Sequence, residues 1–117
     1  MSENDPDKTR EIRLTVRLDE NRVPEAITWD ATERDAGTPS ACDAAVLALW
    51  NRETKSAFRI DLWTKSMPVD EMSAFLVQTI HTLADTYERA TSRERIAGAI
   101  RRFAHDLGRE CAGEDSS

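Results

Sequence analysis

FRIDLWTKSM, Phe58 to Met67, followed at once by PVDEM, Pro68 to Met72, is the stretch whose reading decides the fold. Phe58, Ile60 and Leu62 alternate with Arg59, Asp61 and Trp63, the period of a strand with one apolar and one polar face. The alternation stops at Thr64. Pro68 lacks a backbone N–H and suits the first turn of a helix, and Asp70 and Glu71 put negative charge where a helix N-terminus favours it. Sheet and crossover are therefore expected before this junction, and helix after it.

Beyond the junction, Val69, Met72, Leu76, Ile80, Leu83, Tyr87 and Ala90 trace an apolar stripe, widened by Phe75. Thr91 and Glu94 have capping-box spacing, which predicts a break near residues 90 to 92 and a further helix carrying Ile96, Ile100, Phe103, Leu107 and Cys111. One kinked helix is the alternative.

Before the junction, Ile12, Leu14, Val16 and Leu18 alternate with Arg13, Thr15 and Arg17, and AITWDAT turns Ile27 and Trp29 inward. These are two strands, joined through the turn-rich DENRVP as an antiparallel hairpin. Residues 33–39 read as a loop. Cys42, Ala45, Val46, Leu49 and Trp50 then fall at helical spacing, predicting a helix from Ser40, or from a Thr38 cap, to about Arg52. As a right-handed crossover it makes the second and third strands parallel. Spatial order 2-1-3 is then fully antiparallel and 1-2-3 mixed; both stay open.

The expected fold is α+β: a small three-stranded, mostly antiparallel sheet with three helices on one face, in the order ββαβαα. Residues 1–10 and 110–117 read as tails and 11–109 as a single α+β domain. Leu14, Val16, Trp29, Val46, Leu49, Ile60, Leu62, Leu76, Ile80, Leu83 and Phe103 should share one core, so that Leu83→Ala costs about 2–5 kcal/mol.

The 117 residues carry 22 acidic against 16 basic groups, a net charge of −6 that argues against general nucleic-acid binding. The longest apolar run, Ala44 to Trp50, is too short to cross a bilayer, and the charged N-terminus has no apolar signal core. The expected compartment is the cytoplasm. Cys42 and Cys111 lack metal-ligand or CxxC spacing and read as reduced core thiols.

The polar strand face should carry Arg13, Thr15, Arg17, Thr28, Asp30, Arg59, Asp61 and Trp63. Cross-strand pairing on a wetted surface explains most of it. Trp63 among arginines also has the composition of a protein-binding or self-association patch, with Arg13, Arg17, Arg59, Asp61 and Trp63 as its members. A second candidate partner surface is the basic last helix, with Arg95, Arg101 and Arg102. His81, Asp85 and Glu88 fall on one helix face with types that ligate zinc or manganese, although amphipathic helices carry charged faces by default. No nucleophile elbow, phosphate loop or Cys/His pairing is present, so no enzyme, cofactor or metal is expected.

LDENRVPEAITW, IDLWTKSMPVDEM and ADTYERAT, in this order, resemble the gliding-motility-associated GldC family of Bacteroidetes-type bacteria, from about Ile12 to Leu107. The resemblance implies a soluble accessory or adaptor protein associated with surface gliding and its neighbouring secretion machinery. It carries over no reaction and no catalytic residue. Its matching positions include Asp61, Trp63, Thr64, Lys65, Asp85, Glu88 and Arg89, with Asp61 and Lys65 expected to pair across the junction. The implied partner is a protein of the gliding or secretion apparatus, a homodimer is compatible, and neither nucleic-acid binding nor membrane insertion is expected. An enzyme using the His81, Asp85 and Glu88 face, or a chaperone for an exported component, are the alternatives.

Overall fold

The computed structural model describes residues 8–32 and 40–116, so the loop expected at 33–39 and most of the N-terminal tail lie outside the described residues. The chain divides into two compact units, Met1–Met67 and Pro68–Ser117.

Among the described residues the first unit holds five strands: β1 (Ile12–Leu18), β2 (Pro24–Ala31), β3 (Ser40–Cys42), β4 (Ala44–Asn51) and β5 (Ser56–Trp63). β1, β2 and β3 form one antiparallel sheet in that order, and β4 and β5 form a second antiparallel pair. The expected β1–β2 hairpin is present, with Arg13 opposite Asp30 and Val16 opposite Ile27. Asp19 closes its turn: one carboxylate oxygen accepts the N–H groups of Asn21 and Val23 at 2.8 and 3.0 Å.

The helix expected from Ser40 to Arg52 is not there; this segment is β3 and β4. AAVLALW is apolar at every position, so it satisfies the helical period and the strand period alike, and its alanines weight the choice toward helix. Pairing across the following turn decides it. Asn51 Oδ1 accepts the N–H groups of Glu53 and Thr54, reversing the chain, and every residue from Ala44 to Asn51 then finds a partner between Trp63 and Ser56. Without a crossover helix no parallel pair forms among the described residues, and neither spatial order considered above applies. Among the described residues the element order is βββββαα, with two helices in place of three.

The second unit is a helical hairpin. α1 (Val69–Thr91) begins after Pro68, with Asp70 and Glu71 in its first turn, as the junction predicts. Ser92 ends it in the left-handed conformation, φ 61°, donating its N–H to Glu88 O at 2.8 Å. The break thus falls where Thr91 and Glu94 indicate, and α2 (Glu94–Ser116) follows. α2 runs on through residues 110–116, its inward stripe continuing past Leu107 to the half-buried Cys111.

The packing differs from the expected core of large side chains. Among the described residues the buried apolar ones are Ile27 in the first unit and Ala84, Ala97 and Ala104 in the second. Small residues let α1 and α2 approach closely, with Gly108 facing Val77. Leu76, Leu83, Ile96 and Phe103 stay exposed, as do Val46, Leu49 and Ile60. Leu83 is 57% exposed, so the large loss expected of Leu83→Ala does not follow from this packing.

Candidate functional site

Cross-strand register assigns every residue of β4 and β5 to a face. Ala45, Leu47 and Leu49 share one with Leu62, Ile60 and Phe58; Ala44, Val46, Ala48 and Trp50 share the other with Trp63, Asp61, Arg59 and Ala57. On the second face Trp50 is 68% exposed and Trp63 55%, with Val46 also exposed between them. Two large aromatic rings in water on one face, separated by an arginine and an aspartate, match the make-up of interaction hot spots. Trp50 was invisible as a site residue from sequence because the helical reading turned it into the core.

The candidate patch residues are divided between two sheets. Arg13 and Arg17 lie on β1, where Arg17 Nε sits 3.2 Å from Glu25 and Arg13 3.8 Å from Glu11. Arg59, Asp61 and Trp63 lie together on β5. In the helical hairpin, Arg101 is engaged: its guanidinium reaches Asp85 and Glu88, both at 2.8 Å, while Arg95 and Arg102 are exposed. This bidentate bridge draws on the two carboxylates of the His81, Asp85 and Glu88 face, and the Arg101 hydrogen bond holds the Asp85 carboxyl below its usual range. Among the described residues, no group of three His, Cys, Asp or Glu side chains could hold a metal ion. Cys42 lies on a strand, not a helix, and burial raises its thiol pKa, away from reactivity.

The residues just after β5 have a structural task. Thr64, 2% exposed, donates its N–H to Asp43 O at 2.8 Å and its hydroxyl to Asp43 Oδ1 at 3.2 Å. Lys65 donates its N–H to Pro24 O at 3.0 Å and its ammonium to Asp19 Oδ2 at 2.9 Å. Lys65 therefore pairs with Asp19, not with Asp61 as expected: Asp61 is on the strand face beside Val46, whereas Asp19 is already fixed in its turn by backbone donors. These bonds tie the end of β5 to the start of β2 and to the β3–β4 joint. They fix where the Trp63 face begins.

The Lys65 hydrogen bond, followed by the bond from Val23, lowers the Asp19 pKa from its usual 3.8. A depressed folded-state value means stabilisation that is complete above the unfolded pKa and lost as pH falls through the folded one. Asp19→Asn should therefore flatten the acid side of the stability-versus-pH curve below about pH 4, leaving its shape near neutrality unchanged. Urea midpoints at a series of pH values check this; an unchanged acid slope would show that the Asp19–Lys65 pair does not stabilise the fold.

A family model described as gliding motility-associated protein GldC-like matches residues 24–112. That range takes in β2 to β5, α1 and most of α2. No curated protein and no solved structure matches the chain significantly.

Proposed function

Since the chain belongs to the gliding motility-associated GldC-like family, we propose that it is a non-enzymatic accessory protein that binds a protein of the gliding or secretion apparatus through the Val46, Trp50 and Trp63 face. The observation that carries this reading is the joint exposure of Trp50 and Trp63 on one strand pair. A two-stranded hairpin is marginal by itself in water, and leaving such rings uncovered forgoes the largest burial available to it. Partner binding would recover that burial. The acidic balance of the chain favours a protein over a nucleic acid as partner, and the cytoplasm is the compartment that fits its composition.

The alternative of a metal-dependent enzyme on α1 is disfavoured because Asp85 and Glu88 are already committed to Arg101. Capture from native lysate with wild type, Trp50→Ala and Trp63→Ala tests the binding face, with circular dichroism confirming that all three fold. Each truncation should weaken recovery of the same motility component by roughly thirtyfold, the equivalent of about 2 kcal/mol at a hot spot. Undiminished recovery with both variants, and loss with Arg95→Ala or Arg102→Ala, would move the site to α2.

A further inference from the structure

The outer edge of β5 is a second feature of the same hairpin, separate from the tryptophan face. β5 is eight residues long and contains no proline; β4 is its one ladder partner among the described residues, while β2 also lies against it and Lys65, just past its end, donates its N–H to Pro24 O. Such an edge presents unpaired backbone groups and is normally blunted by charge. Here the charges are Arg59 and Asp61, two positions apart on one face, and neither makes an ion pair among the described residues.

Opposite charges at i and i+2 do not repel a second copy of the same strand; they select how it docks. We infer that two copies of this chain pair antiparallel through β5, about a two-fold axis at Ile60, making one continuous four-stranded sheet. In this register Arg59 lies opposite Asp61 of the second copy, and Asp61 opposite its Arg59. Phe58 lies opposite Leu62 on the apolar face, and Trp63 opposite the small Ala57 on the other. The neighbouring two-fold registers are worse: centring on Arg59 opposes two arginines, and centring on Asp61 opposes two aspartates, each destabilising directly across a sheet. A shift of one residue sets apolar positions against charged ones. The pairing is isologous, so it closes at two copies and does not propagate. It also lifts the marginal two-stranded pair to four strands with a shared apolar face of Leu47, Leu49, Phe58, Ile60 and Leu62 from each copy. The tryptophan face remains open on both copies, so the dimer does not depend on the partner reading above.

Sedimentation velocity on the full chain tests this. Wild type should sediment as a dimer whose dissociation constant rises with salt. R59D and D61R each place like charges across the axis and should raise that constant at least tenfold. The double variant R59D/D61R should restore the dimer, and an equimolar mixture of R59D with D61R should form a heterodimer that neither forms alone. Recovery on mixing also shows that the single variants are folded. A monomeric wild type, an open-ended series of oligomers, single variants as dimeric as wild type, or failure of both the double variant and the mixture to associate would each overturn the proposal. In the first of these outcomes the edge is left for a strand of another protein.

Discussion

Ile27→Ala is expected to destabilise the Met1–Met67 unit by about 2–5 kcal/mol, the range for deleting a buried aliphatic side chain. Ile27 is 1% exposed, the one large aliphatic side chain buried to that degree among the described residues, and it sits on the central strand β2 opposite Val16 of β1 and Cys42 of β3. Truncation leaves a cavity bounded by both neighbouring strands, neither of which can close it without breaking its own pairing. The consequence is measurable in isolation. All three tryptophans, Trp29, Trp50 and Trp63, lie in this unit and none in the helical hairpin, so fluorescence-detected urea unfolding reports on the sheets alone. A loss below about 1 kcal/mol would mean that Ile27 is not the centre of this packing.

Ala104→Leu should have the second-largest effect, for the opposite physical reason. Ala104 is fully buried in α2, as are Ala97 one heptad before it and Ala84 in α1. Close helix approach leaves no room for three further heavy atoms, and overpacking of this kind costs about 1–3 kcal/mol. Leu83→Ala, at a position 57% exposed, should cost less than about 1 kcal/mol. The ordering of the two variants in helical circular dichroism therefore distinguishes alanine packing from leucine packing in the hairpin. A larger loss from Leu83→Ala than from Ala104→Leu would show that the stripe of large residues, not the small one, holds the helices together.

Much of the architecture was legible in local pattern. The period-two runs at Ile12–Leu18 and Ser56–Trp63, the helix start at Pro68 and the break before Glu94 all depend on neighbours within a few residues. The segment from Ala44 to Asn51 was not legible, because an uninterrupted apolar run has no period of its own and takes one from its pairing partner. The core was misjudged for a related reason. Size and apolarity identify residues that can be buried, whereas Ala84, Ala97 and Ala104 are buried because the helix approach distance selects small side chains.

At the candidate site, the strand alternation placed Trp63 on the face with Arg59 and Asp61, and the structure has it there. Trp50 joins them only once β4 is known to be a strand. The bonds that position the face, Thr64 to Asp43 and Lys65 to Asp19, span 21 and 46 residues of chain, and no local period reports a contact of that separation.

The proposed meeting point of this GldC-like protein with the motility apparatus is the Trp50 and Trp63 face of β4–β5. A photo-crosslinking amino acid at position 50, expressed in the protein's native cells, tests it directly, with the exposed position 102 on α2 as the comparison. Crosslinks from position 50 to one gliding or secretion component, absent from position 102, are the predicted result. A component captured from position 102 and not from position 50 would contradict it.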